Sequence, residues 1–157
     1  MMKLVLISTP TIKEGNITKA YNEADVRYKY YVPCPHCGHM QPLTWDGVKF
    51  DSKEHATVVE YQTHYECCEC HGIIKDHHKP EMLRRGKWVA QNECKGKPKR
   101  IAYSINSIYS PWITFGQVAA EFQRSKDDPA DLMNFINSWL GEPWENLSAN
   151  MDIGSVL

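Results

Sequence analysis

The chain has 157 residues, 42% of them hydrophobic and 24% charged, with a formal net charge of −1. That length holds one ordinary domain or two small ones, and the composition is that of a globular chain. A protein given over wholly to gripping nucleic acid is normally basic, so any DNA contact is expected to be local. No apolar run approaches the ~18 residues of a membrane helix, and no membrane partner is expected.

Residues 4–7 form a short apolar run that stops at Ser8-Thr9-Pro10-Thr11. Lys3 and this run are too short for a signal peptide and read instead as a buried strand ending at a polar turn. Asn16 is placed to cap a helix whose Ile17, Ala20, Tyr21 and Ala24 fall on one face. Residues 28–32, rich in aromatics, are expected as a strand, with residues 40–44 as the hairpin partner.

Between those strands stands Cys34-Pro35-His36-Cys37-Gly38, and further on Cys67-Cys68-Glu69-Cys70-His71-Gly72. Two Cys-x-x-Cys pairs with Gly close behind each mark a paired-knuckle metal site. The chain turns tightly in a knuckle so that two thiolates face one ion, and Gly tolerates the positive φ expected there. Cys34, Cys37, Cys67 and Cys70 fill a tetrahedral Zn²⁺ shell with no open position, which describes a structural centre rather than a catalytic one. The spacing also suits an iron site of the rubredoxin kind. Six cysteines in a chain read as intracellular favour metal over disulfides, and Cys68 and Cys94 are expected as ordinary thiols. His36, His39, His64 and His71 lie near the thiolates and are expected outside the ligand set.

The polar stretch 46–56 is expected as a loop, residues 57–65 as a strand feeding the second knuckle, and residues 73–74 as the strand leaving it. Pro80 starts a short helix ending at Gly86, followed by a strand over 87–90. Lys95, Lys97, Lys99 and Arg100 make a basic loop that can touch phosphates. Residues 100–105 alternate as a strand. Thr114 and Gln117 form a capping box, opening a helix with Phe115, Val118, Ala119 and Phe122 on one face. Pro129 opens another, striped by Leu132, Phe135, Ile136, Trp139 and Leu140, with Gly141 as its cap. The two read as a helical hairpin whose apolar stripes await a partner surface. The fold class is α+β: an antiparallel zinc-ribbon module with flanking helices, including this C-terminal hairpin.

Several of these runs together resemble one family. They are Ser8-Thr9-Pro10-Thr11 after a strand, and Tyr31-Val32-Pro33-Cys34-Pro35-His36-Cys37-Gly38-His39 some twenty residues on. Tyr109-Ser110-Pro111-Trp112, Phe135-Ile136-Asn137 and Leu140-Gly141-Glu142-Pro143-Trp144-Glu145 follow in order. In that order they resemble the GpA-type large subunit of tailed-phage terminase. Members recognise, cut and translocate phage DNA, using an N-terminal ATPase domain and a C-terminal metal-dependent nuclease domain. The resemblance implies the end of an ATPase domain (1–27), the zinc ribbon (28–76), returning strands (77–113) and the helical hairpin (114–141). Residues 142–157 are then a linker toward a missing nuclease domain. Ser8, Thr9 and Thr11 fall where the family couples ATP state to DNA grip. Gly-x-x-x-x-Gly-Lys-Ser/Thr is absent from the sequence, so the chain alone is expected to turn over no ATP. ATP and Mg²⁺ belong to the complete protein.

The resemblance also implies double-stranded phage DNA, the small terminase subunit and the capsid portal as partners, in the cytoplasm of a bacterial host. Two other readings compete: a free-standing zinc-ribbon nucleic-acid-binding protein, and a rubredoxin-like iron electron carrier. A zinc hydrolase is discounted, because Glu69 between two ligands has no route to a metal-bound water.

Overall fold

The architecture is that of a computed structural model describing residues 1–145. Two small sheets each carry one knuckle. In the first, β1 (Val26–Pro33) pairs antiparallel with β2 (Met40–Pro42), and the first Cys pair lies in the turn between them. β1 also pairs antiparallel with β6 (Lys87–Ala90) and parallel with β7 (Ile101–Ser104). In the second sheet, β3 (Val48–Lys49), β4 (His64–Glu66) and β5 (Ile73–Ile74) are antiparallel, and the second Cys pair joins β4 to β5.

Among the described residues there are five α-helices: α1 (Asn16–Asn22), α2 (Ala56–Gln62), α3 (Lys79–Arg84), α4 (Phe115–Ser125) and α5 (Pro129–Asn134). α5 runs on as a π-helical turn, Phe135–Trp139, closed by Gly141 at φ 64°. Among the described residues no helix is long and apolar enough to cross a membrane.

One core joins these pieces. Val32 and Leu43 from the first hairpin, Tyr65 and Ile74 from the second, and Phe115, Val118, Phe122 and Phe135 from the C-terminal helices are all buried in it. The apolar stripes of α4 and α5, expected to await a partner surface, close into the chain's own core instead, where Phe122 and Phe135 pack on Trp45. Tyrosine hydroxyls tie the first hairpin to the rest of the core. Tyr109 Oη donates to the Tyr30 carbonyl and accepts from the Leu43 N–H at 2.9 Å. Tyr65 Oη accepts from the Thr44 N–H at 2.9 Å.

Four local expectations are corrected. Residues 4–7 are exposed coil rather than a buried strand, with Ile7 at 91% exposure; no strand lies beside them among the described residues, and an isolated strand has no partner for its backbone. Gly15, not Asn16, is the N-cap of α1, and Asn16 is its first helical residue. Residues 57–62 are helical, because α2 packs Ala56 and Val59 inward and lies against α4; strand begins only at His64. The stretch 46–56 is not all loop: β3 pairs with β4, and Phe50 packs against Trp45 and Phe122. Part of the linker expected over 142–157 lies outside the described residues.

Candidate metal centre

Each knuckle is built by its own backbone. In the first, the Gly38 N–H donates to the Cys34 carbonyl (2.9 Å) and the Cys34 N–H to His39 (2.9 Å). In the second, the His71 N–H donates to Cys67 (3.1 Å) and the Cys67 N–H to Gly72 (3.1 Å). The two turns are the same device, with one exchange of residue. Gly38 holds the positive φ of the first at 76°, whereas His71 holds that of the second at 58°. Gly72 serves a different end: a Cβ there would stand 2.8 Å from the His36 ring and 3.2 Å from Cys70 Sγ.

The four nominated cysteines come together. Their sulfurs lie within 4.8 Å of one another, and among the described residues this converging group contains no histidine. Cys34 Sγ is 3.8 Å from Cys70 Sγ, and Cys37 Sγ is 3.8 Å from Cys67 Sγ. Sulfurs held at ~2.3 Å from a tetrahedral Zn²⁺ are separated by about 3.8 Å. The donor set and its spacing therefore fit that ion, and the cysteines are free rather than bridged. Cys34 and Cys67 are buried while Cys37 and Cys70 reach the surface, so the centre sits at the protein's edge.

Hydrogen bonds favour thiolate. The His36 N–H points at Cys34 Sγ, the Glu69 N–H at Cys67 Sγ and the Gly72 N–H at Cys70 Sγ, each at 3.4 Å. Burial pushes the Cys34 thiol up to about 12. Cys67 feels the same upward push. Backbone donors from Cys70 and Glu69 and the Gln41 amide nonetheless bring its thiol down to about 6. An N–H aimed at sulfur favours the charged form, and a dication would draw the remaining protons off.

The histidines stand aside. His36 Nε2 lies 2.6 Å from the Ile73 carbonyl, which strings knuckle one to the second hairpin. His71 Nδ1 meets Glu66 at 3.0 Å. His39 is exposed and His64 half-buried. Sequence reasoning missed Gln41. It is 2% exposed, and its amide reaches both Cys67 Sγ and the Cys68 backbone. A polar residue on an inward strand position opposite Val32 was the available signal, but no spacing rule says what it would touch.

The other nominated residues are not part of this centre. Lys95, Lys97, Lys99 and Arg100 are all exposed on the loop between β6 and β7. The loop is anchored where the Lys99 and Arg100 N–H groups donate to Asp25 Oδ2 at 2.9 and 3.0 Å, and those bonds hold the Asp25 carboxyl below its ordinary range. Ser8, Thr9 and Thr11 lie exposed, and the Ser8 hydroxyl donates to the Thr9 carbonyl at 3.0 Å. Past them the chain is pinned by the Trp144 N–H donating to the Thr11 carbonyl at 2.7 Å and by a Lys13–Glu145 ion pair at 2.5 Å.

Comparison with known proteins agrees along the chain. Residues 1–88 match the family described as phage terminase large subunit gpA, ATPase domain. Residues 100–156 match that described as terminase large subunit gpA, endonuclease domain. The chain is 32% identical to the terminase large subunit of Enterobacteria phage P21, across 88% of this chain and 24% of that protein. It is 26% identical to the terminase large subunit of Escherichia phage lambda, over the same shares of each. It thus spans about a quarter of the length of these relatives. No solved structure gives a significant match. With the first match alone covering more than half of its residues, the chain belongs to the gpA family of phage terminase large subunits.

Proposed function

We propose that this chain serves phage DNA packaging as the segment of a terminase large subunit where the ATPase and nuclease portions meet, stiffened by a structural zinc ribbon. The complete protein would cut double-stranded phage DNA and move it by ATP hydrolysis. It would work with the small terminase subunit and the capsid portal, in the cytoplasm of the bacterial host. The ATP and Mg²⁺ chemistry would be supplied elsewhere in that protein.

The observation that carries this reading is the Cys₄ cluster standing in a core that spans both matched regions. β1 bears the first knuckle and lies in the stretch that matches the ATPase family. β7, its parallel neighbour, lies in the stretch that matches the nuclease family. Bound Zn²⁺ would close the shell of Cys34, Cys37, Cys67 and Cys70 and lock the two hairpins at a fixed angle. A zinc of this kind does no chemistry on substrate; it supplies rigidity. Ser8, Thr9 and Thr11 would belong to the segment that reports ATP state, and Lys95, Lys97, Lys99 and Arg100 would meet DNA phosphates.

Elemental analysis and a visible spectrum of the purified chain test the centre. One zinc per chain without colour is the expected result. One iron with thiolate charge-transfer bands would replace this reading by the electron carrier. A folded chain that takes up neither metal would remove the ribbon from the proposal.

A further inference from the structure

We infer that Gln41 is a positioning residue of the metal centre: its side-chain amide, reaching from the first hairpin, holds the Cys67 sulfur of the second. The inference rests on the metal reading above. Gln41 lies on β2, at 2% exposure, opposite Val32. Its Oε1 accepts the Cys68 N–H at 3.1 Å, and its Nε2 stands 3.2 Å from Cys67 Sγ.

The orientation of the amide is dictated rather than chosen. A backbone N–H can bond only to the amide oxygen, so the Cys68 N–H turns Oε1 toward itself. The NH₂ end is then left facing Cys67 Sγ. Burial makes both bonds costly to lose, since an unmatched buried amide has no water to turn to.

The contact also crosses between ligand pairs. The backbone N–H groups at 3.4 Å from the sulfurs of Cys34, Cys67 and Cys70 each come from the sulfur's own knuckle. Gln41 does not: it belongs to the hairpin that carries Cys34 and Cys37 and grips a sulfur of the other pair. His36 makes the reciprocal reach, with Nε2 on the Ile73 carbonyl. The two hairpins are therefore cross-strapped without any ion, and the Gln41 strap ends on a ligand atom. A hydrogen bond to a coordinating sulfur draws off electron density and fixes its direction. Partners of this kind typically change metal affinity by ~10–100-fold when removed.

Gln41→Met keeps the volume and removes both bonds. With metal bound, the variant is expected to fold and to hold zinc roughly 10–100-fold more weakly than the parent in equilibrium competition with a chromophoric chelator. Its Co²⁺ form is expected to show the thiolate-to-metal band shifted to longer wavelength. Gln91→Met, at an exposed glutamine, is expected to change neither. Parent-like zinc affinity and an unshifted band in folded Gln41→Met would overturn the inference while leaving the metal reading intact. A parent chain that binds no metal overturns both. Should the variant fail to fold, the unmodified chain loaded with ¹¹³Cd decides: scalar coupling between the Gln41 side-chain amide protons and cadmium supports the inference, and its absence in a resolved spectrum refutes it.

Discussion

Lys79 shows how one residue can carry a charge into the core at a cost. It is 2% exposed, with Nζ donating to the carbonyls of Ser110 (3.1 Å) and Ile113 (2.5 Å) and lying 4.4 Å from the centre of the Phe115 ring. Burial lowers its pKa from the ordinary 10.5 to about 8, against a smaller opposing pull from Asp76. Between those two values the unfolded chain binds a proton that the folded chain has released, so this group makes stability rise with pH through that window. Below about pH 8 both states are charged and the full penalty of burial stands. Urea unfolding at pH 7.5 and 9.5 should show the parent gaining stability relative to Lys79→Met as pH rises. A constant difference between the two proteins would refute the lowered pKa. In the sequence, the adjoining Pro80 marked only a helix start, and nothing around Lys79 disclosed that its amine would be enclosed.

Among the elements, the packing of α2 on α4 governs the most. A Cβ at Gly116 would stand 1.8 Å from the Glu60 carbonyl oxygen, so the α4 backbone lies directly on that of α2. Gly116→Ala is expected to cost ~1–3 kcal/mol or more in chemical unfolding, because neither backbone can yield as a side chain would. Stability within experimental error of the parent would mean that the helices do not approach so closely. This packing also explains why the strand expected over 57–65 is largely helix. Val58, Val59, Tyr61 and Tyr65 have the β-branched and aromatic character of a strand. Yet His55 caps a helix by accepting the Thr57 N–H at 3.3 Å, and the helix buries Ala56 and Val59. Burial against α4 outweighs local preference, as weak propensities allow. The capping box at Thr114 and Gln117, by contrast, is local chemistry, and both of its bonds form as the sequence implied.

At the scale of the molecule, the β6–β7 connection bears the basic loop and, up to Lys99, lies between the two matched regions. With the chain's net charge at −1, the DNA contact proposed for it would rest on such a local cluster. Replacing Lys95, Lys97, Lys99 and Arg100 by Ala should weaken binding to duplex DNA and flatten its salt dependence, by about 0.9 in log–log slope for each phosphate that is no longer neutralised. Fluorescence titrations across salt concentrations would measure this, and an unchanged slope would take the loop out of the DNA-binding proposal.

By itself the sequence determined what depends on near neighbours. Two Cys-x-x-Cys turns, a capping box, the prolines at helix starts and the Gly141 cap are decided within a few residues, where backbone geometry leaves few solutions. The family runs were legible for a related reason, since they are short and contiguous. Tertiary structure alone decided what depends on residues far apart. It turned 57–62 into helix, folded the α4 and α5 stripes into the chain's own core, left residues 4–7 exposed and brought Gln41 to Cys67. Each of these follows from which surfaces meet, and burial energy belongs to the pair of surfaces rather than to either stretch of chain.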